Sequence, residues 1–460
     1  MRNWQLLTLL TTFLIGPSVL AQYMPPVVEA AKNEDWQLLE QHLASGMDAN
    51  QIYGDGSTAL HWASYHDSVE GARLLLGAGA TANSANDLGA TPLWLAAENG
   101  STQMTTLLLE AGADPAVALL SGETPLLTAS LSGNADVVRS LLAAGADPNL
   151  AVTRQQTALM WAAGRGHSAV VEALVEYGAD VSARSEVRTE YVKTEKEQDS
   201  HPAYKIWIEN GGYTPLMFAA WAGDLGSVQA LVKGGSDVDE LSAFGLSPLI
   251  MAVHGGNLLL VEYLLAQGAE VNLAASGHTA LHAAILRGDP RAVVSLLEHG
   301  ADPNALLEKP TPTRRQSTDY HFHDSLLGAS PLWLAARFTE PDIMELLIEA
   351  GANPSFVNHV NYPAQRMGDF FIADEGEISI LMAAVGMGNR RLRMSWGTPE
   401  RRAGQVSRDR EGLILEAAQA AVLAGADVNL KDATGQSALD FARARRFERV
   451  ASFLEQAGAI

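Results

Sequence analysis

Apolar side chains recur along the chain in short blocks spaced for one face of a helix, and a glycine turn follows each block. The block at Thr91 reads Thr-Pro-Leu-Trp-Leu-Ala-Ala, and similar phrases begin at Thr58, Thr124 and Thr157. A second block, Leu-Leu-x-x-Gly-Ala-Asp, closes most of the stretches, as at Leu108–Asp114. The pattern predicts two short helices in each stretch, joined by a tight turn.

The phrase returns at a spacing that is mostly 33 residues. Its ten copies begin at Thr58, Thr91, Thr124, Thr157, Thr214, Ser247, Thr279, Ser330, Ser379 and Ser437. Thr or Ser supplies an N-cap, and Pro suits the first helical position because its missing N–H is harmless there. One such repeat buries little apolar surface, so its faces need a neighbour on each side.

This repeat resembles the ankyrin repeat family, whose signature is a 33-residue unit with Thr-Pro-Leu-His-x-Ala. The resemblance implies an all-α repeat fold, an ankyrin-type α-solenoid of about eleven helix-turn-helix repeats with short β-hairpin fingers, continuous over residues 22–460. Residues 22–54 lack the phrase and are expected to form the N-terminal cap, and residues 437–460 the C-terminal cap. The family implies protein–protein interaction and names no partner.

Four insertions interrupt the regular spacing. Those near 184–210, 305–326 and 355–375 fall where the fingers are expected, and that near 390–410 falls in a helix–helix turn. We expect the first to be a mixed-charge, solvated segment as far as Tyr204–Ile208. Insertions on a regular scaffold either bind a partner or are tolerated decoration, and the sequence leaves both open.

The fourth position of the phrase is histidine only at His61 and His282. Such a histidine is expected to be a structural hydrogen-bonding group. Apolar residues replace it in seven copies, including Trp94 and Trp333, and are expected to exchange a polar link for packing.

Candidate binding residues follow from the resemblance, which places the two residues after the Ala-Ala pair in a groove beside the fingers. In this chain they include Tyr65, His66, Glu98, Asn99, Leu131, Arg165, Trp221, His254, Arg337 and Phe338. The flanking finger residues are Tyr53, Asp55, Tyr213 and Phe244. Several are large aromatic or arginine side chains, which are enriched at binding hot spots. An alternative is that Trp221 and Phe338 pack under insertions.

Catalytic and metal-binding chemistry finds little support. The P-loop, His-Glu-x-x-His and Gly-x-Ser-x-Gly motifs are missing from residues 22–460, so no cofactor and no metal are expected. His321, His323 and Asp324 form the one metal-like cluster, and a solvated loop is the simpler interpretation. The arginines between 390 and 410 either hold an anionic partner or dock on the chain's own acidic surface. A metal-dependent or hydrolytic enzyme built on the insertions is the competing hypothesis.

Charge and composition narrow the partners. The 460 residues contain 31 Lys and Arg against 53 Asp and Glu, a net charge of −22 that disfavours nucleic acid. Residues 1–21 have the layout of a signal peptide, with cleavage predicted after Ala21. No cysteine is present, which suits an oxidising compartment. We therefore expect a periplasmic or secreted monomer with an unidentified protein partner and no membrane segment after cleavage; a secreted effector acting on a host is a further hypothesis.

Overall fold

The computed structural model describes residues 24–193, 205–309, 311, 326–367, 370–387 and 409–460. They fall into two compact units, unit 1 ending at Asp147 and unit 2 spanning Pro148–Ile460. Within these ranges 22 α-helices form eleven helix-turn-helix pairs, which confirms the predicted repeat architecture.

Unit 1 contains four of these pairs. Its helices are α1 (Pro26–Lys32), α2 (Trp36–Ala44), α3 (Ala59–Tyr65), α4 (Val69–Gly77), α5 (Pro92–Asn99), α6 (Thr102–Glu110), α7 (Pro125–Ser132) and α8 (Ala135–Ala143). The first helices of the pairs, α1, α3, α5 and α7, pack on one another in order and form the inner row. The second helices, α2, α4, α6 and α8, form the outer row in the same way.

Unit 2 repeats the arrangement with seven pairs. Its helices are α9 (Ala158–Arg165), α10 (Ser168–Glu176), α11 (Pro215–Ala222), α12 (Leu225–Lys233), α13 (Pro248–Gly255), α14 (Leu258–Ala266), α15 (Ala280–Arg287), α16 (Pro290–Glu298), α17 (Pro331–Phe338), α18 (Pro341–Glu349), α19 (Ile380–Val385), α20 (Arg410–Leu423), α21 (Ala438–Arg445) and α22 (Glu448–Gln456). The odd-numbered helices again form an inner row and the even-numbered helices an outer row.

The helix boundaries follow from the capping residues of the phrase. The Thr91 hydroxyl accepts a hydrogen bond from the Trp94 amide at 3.2 Å, and Pro92 occupies the first helical position of α5. Gly100 ends that helix in the left-handed conformation, with φ of 69°. This φ is strained for a residue with a Cβ, so glycine sets the turn into the next helix.

The core of each unit contains one leucine from each inner helix other than α1, where Val27 and Val28 are buried instead. The leucine at the third position of the phrase is at most 2% exposed in all ten copies, and the alanines that follow it are buried beside it. Since small alanines let the inner helices approach closely, each repeat buries its apolar face only against its neighbours.

Two of the insertions form β-hairpins in finger positions. Strand β1 (Arg188–Lys193) pairs antiparallel with β2 (Lys205–Asn210), and β3 (Val357–Met367) pairs with β4 (Phe370–Ser379). The flanks of the first insertion are therefore paired strands, which the expectation of a solvated segment did not include. Most of the 305–326 and 390–410 insertions lies outside the described residues.

Asparagine side chains connect consecutive repeats. The Asn272 amide donates to the Gly300 carbonyl at 3.0 Å, and its oxygen accepts from the Asp302 backbone amide at 2.8 Å. Asn50, Asn83, Asn149, Asn304 and Asn429 make the same pair of bonds to their following repeats. Each of these asparagines lies four residues after a glycine with positive φ, such as Gly268, so this turn position is also an inter-repeat bridge.

The bridge predicts how single changes alter stability. Asn272→Ala removes both bonds and leaves two backbone groups without a partner, so the free energy of unfolding should fall by about 1–3 kcal/mol. Ala116 occupies the equivalent turn position, and its backbone amide donates to the Asp114 carboxylate, but alanine has no side-chain amide to form the bridge. Ala116→Asn should therefore raise the free energy of unfolding by up to about 1 kcal/mol.

Urea unfolding of both variants measures these changes. Asn33→Ala, which removes an exposed asparagine at the end of α1, is the matched control and should change little. An Asn272→Ala variant as stable as that control would contradict a stabilising bridge.

Candidate protein-binding surface

The fingers form a connected row beside the inner helices. In unit 1 the Asp87 amide donates to the Asp55 carbonyl at 2.9 Å, and the Leu120 amide donates to the Leu88 carbonyl at 3.0 Å. Unit 2 has equivalent bonds from Glu186 to Arg154, from Ala243 to Gly211 and from Glu308 to Gly277. These backbone bonds fix neighbouring fingers against each other, so their side chains form one surface within each unit.

The residues predicted for unit 1 divide into exposed and structural groups. Asp55, Tyr65, Glu98 and Asn99 are exposed, and Tyr53 and His66 are half-buried. The Asn99 side chain donates to the carbonyls of Ser64 and Tyr65 at 3.0 and 2.9 Å. Asn99 therefore stabilises the end of α3, and Nε2 of His66 similarly donates to the Lys32 carbonyl at 3.1 Å.

An aromatic cluster lies where α1, α3 and the first finger meet. The Lys32 ammonium is 5.5 Å from the Tyr53 ring centroid and 5.2 Å from that of Trp62. Tyr65 and His66 contact the Trp62 ring at centroid distances of 5.8 and 6.0 Å. Sequence reasoning missed Lys32 and Trp62. Trp62 is the residue after His61 in the phrase, but no pattern placed Lys32, at the end of α1, over its ring.

The residues predicted for unit 2 are less uniformly accessible. Arg165 and Trp221 are exposed, Tyr213, Phe244, His254 and Arg337 are half-buried, and Phe338 is buried. Burial lowers the pKa of Arg337 to about 10. The His254 carbonyl accepts a hydrogen bond from Nη1 of Arg287 at 2.8 Å, which ties α13 to α15. Trp221 and Arg165 thus offer the most side-chain surface of this set.

The β1–β2 hairpin adds an aromatic pair that the sequence reasoning did not select. Tyr191 and Trp207 lie directly opposite each other in the antiparallel register. Their ring centroids are 4.7 Å apart, and both side chains are more than half exposed. Each strand contains one aromatic residue, and the antiparallel register brings the two rings together.

The fourth position of the phrase makes a structural link. Nε2 of His61 donates to the Ala90 carbonyl, immediately before the next repeat's Thr91, at 2.9 Å. Nε1 of Trp333 donates to the Ile378 carbonyl, immediately before Ser379, also at 2.9 Å. The expectation that every replacement exchanges this link for packing is wrong at Trp333, because an indole N–H can donate as an imidazole does.

Three histidines meet around the finger before α15. The His254 and His278 rings are 5.7 Å apart, and His278 and His282 are fully buried. Nδ1 of His282 accepts from the Thr279 amide at 3.1 Å, which closes a capping box. Burial lowers the pKa of His282 to about 4, although carbonyls of Ala305 and Ala329 favour the charged form. Burial also lowers the pKa of His278 well below its usual value.

This cluster predicts acid sensitivity. The pKa of His282 in the folded chain lies below its ordinary value of 6.5. As pH falls from 6.5 to about 4, this imidazole therefore takes up a proton in the unfolded chain but stays neutral in the folded chain. At pH 5 this should cost on the order of 2 kcal/mol relative to pH 7.

His282→Met removes this proton uptake while using the residue that Met160 and Met217 place at the same position. Its free energy of unfolding, measured in urea, should therefore fall less between pH 7 and pH 5 than that of the parent chain. An equal fall would show that His282 does not titrate on unfolding.

In the described ranges no group of three or more His, Asp or Glu side chains is arranged to hold a metal ion. His321, His323 and Asp324 lie outside those ranges. No helix in the described part of the chain has the length and apolar character that crossing a membrane requires.

Comparison with known proteins places this geometry in a family. The family model described as ankyrin repeats (3 copies) matches residues 27–118, 116–185 and 216–306, and the single ankyrin repeat model matches 327–359. The chain belongs to the ankyrin repeat family.

Individual relatives match only parts of their length. The mouse ankyrin repeat and SAM domain-containing protein 6 is 42% identical over 94 residues, which cover 20% of this chain and 11% of that protein. Human rabankyrin-5 is 27% identical over 203 residues, 43% of this chain and 16% of its own. The human ASB11 ankyrin repeat domain structure, 25% identical, aligns with a TM-score of 0.43 over 54% of this chain and 99% of its own. The chain thus spans only a small part of the length of the SAM domain-containing protein and of rabankyrin-5.

Proposed function

We propose that this chain is an exported, non-enzymatic protein-binding module, and that it holds a segment of a partner protein against its inner helices and fingers. The observation that carries the proposal is the exposure of large rings at the ends of inner helices, 57% at Tyr65 and 52% at Trp221. Large, rigid aromatic side chains supply much of the binding energy at protein interfaces.

Family membership supports an interaction role, since the repeat supplies an extended row of surface positions rather than an enclosed site. The helix caps and the six asparagine bridges supply structural hydrogen bonds of the repeats, and neither uses the exposed residues at the ends of the inner helices such as Tyr65. Residues such as Tyr65 and Glu98 can therefore vary with the partner while the repeat keeps its fold.

Export is the part of the proposal that rests on the leader. If residues 1–21 are removed after Ala21, the native protein begins at Gln22 and lies outside the cytoplasm. Intact-mass spectrometry of the protein from its native cells should show this N-terminus. Retention of Met1 or Arg2 would contradict export by signal cleavage.

The binding surface is tested by placing a photo-crosslinking phenylalanine analogue at single positions in the native host. Crosslinked adducts should form from positions 65 and 221, because both face the proposed partner. Position 177 is the matched control, since Tyr177 is also an exposed tyrosine but follows α10 in the outer row. Adducts from position 177 alone would move the interface to the outer helices.

The purified partner then gives the affinity. Tyr65→Ala should weaken binding roughly tenfold or more if the ring is a hot spot, without changing the far-ultraviolet circular dichroism. Unchanged affinity in both Tyr65→Ala and Trp221→Ala would contradict binding through the inner row.

A further inference from the structure

Negative charge is concentrated in unit 1. Residues 24–147 carry fifteen Asp and Glu side chains against three Lys and Arg side chains, a net charge of −12. Two of the cations, Arg73 and Arg139, lie on α4 and α8 of the outer row. Among the inner helices and fingers of this unit, as far as they are described, Lys32 is therefore the one cation.

That cation is held by the aromatic cluster. The Lys32 ammonium lies over the rings of both Tyr53 and Trp62, at distances where a cation is attracted to the ring face. Its four-carbon stem is flexible, and its side chain is half-buried. The cluster is thus a site shaped for an ammonium or guanidinium group. The Lys32 side chain occupies it and is flexible enough to move away.

Apolar side chains continue this surface along the fingers. Ile52, Leu88 and Leu120 are 65, 69 and 81% exposed, although each is a large hydrophobic residue. Backbone bonds between the second and third fingers hold Leu88 and Leu120 in neighbouring positions. Exposed Asp55 and Asp87 lie on the same fingers, so apolar and acidic side chains alternate there.

Glu98 supplies a carboxylate on the inner row itself. It lies in the last turn of α5, next to the Asn99 that binds the end of α3. Within the described residues Glu98 has neither a hydrogen bond nor an ion pair from its side chain. Partial burial raises its pKa, because desolvation opposes the charged form. A cationic group from a partner would compensate that loss of hydration.

We propose that the inner row and fingers of unit 1 bind a basic protein segment in which Lys or Arg side chains alternate with apolar ones. One of these basic side chains displaces Lys32 from Tyr53 and Trp62. The inference rests on the proposed function and specifies the chemistry of the partner. Charge complementarity selects this occupant, since an acidic or neutral segment would leave the carboxylates of this face uncompensated. Two cations would repel each other over the same pair of rings, so binding requires Lys32 to move.

Peptide display provides a probe without knowledge of the natural partner. A random dodecapeptide library is selected on the mature chain, and the strongest binder is synthesised for calorimetry. Selected sequences should be enriched in Lys and Arg over the starting library. The affinity of the synthesised peptide should fall as NaCl is raised from about 0.05 to 0.5 M, because salt screens exposed charges.

Single-charge variants locate the site. Glu98→Gln should weaken the peptide roughly fivefold, whereas Glu110→Gln, which makes the same charge change on α6 of the outer row, should have much less effect. Asp87→Asn changes an exposed side chain on a finger and should also weaken binding.

Lys32 gives the decisive comparison. Lys32→Gln vacates the rings, so the peptide should bind several-fold more tightly than to the parent chain. Arg73→Gln removes one cation from the outer row and should strengthen binding less. Weaker binding by Lys32→Gln would overturn the displacement, because Lys32 would then be part of the site.

The outcomes separate this inference from the function on which it rests. Selected peptides without Lys or Arg enrichment that still lose affinity with Tyr65→Ala would overturn the basic partner and leave the binding face in place. Peptides insensitive to Tyr65→Ala, Glu98→Gln and Asp87→Asn would contradict the basic-segment site, and insensitivity to Trp221→Ala as well would contradict both.

Discussion

The fold depends on a neutral hydrogen-bonded bridge that passes from one repeat to the next. A helix pair leaves carbonyl and amide groups unsatisfied at its ends, and a repeat of this size cannot bury or satisfy them alone. Asn304 shows the solution, since its amide reaches the Gly351 carbonyl and its oxygen accepts from the Asn353 amide. This link spans the second insertion, so the bridge is kept although 49 residues separate Asn304 from Asn353.

The bridge explains why the insertions are compatible with a regular structure. In the three finger insertions the added residues enter between a bridged turn and the next capping Thr or Ser, and the chain returns to the same register. The β1–β2 hairpin ends at Asn210, and α11 begins at Pro215 with the buried Leu216 in its expected place. Loop closure depends weakly on length, so a finger can lengthen into a hairpin without disturbing the helices on either side.

The sequence predicted the repeats well because the same local chemistry recurs ten times: Thr or Ser before the helix and a buried leucine, with proline at the first helical position in five of the copies. It predicted the surface less well because accessibility depends on contacts with the neighbouring repeat. Asn99 and Phe338 occupy positions of the same kind as Tyr65, yet Asn99 binds the end of α3 and Phe338 is buried. The position of Lys32 over Trp62 likewise depends on how α1 packs on α3, which no phrase in either repeat encodes.

Separate chemistry for folding and for recognition follows from these contacts. In unit 1, side chains such as Asn83 and His61 link neighbouring repeats through hydrogen bonds to backbone groups, and such neutral bonds are little affected by surrounding charge or salt. Unit 1 therefore tolerates a net charge of −12 on its residues 24–147 without needing compensating cations in its core. Carboxylates such as Asp87 and Glu98 can then determine which partner is attracted, while the asparagine bridges continue to determine the fold.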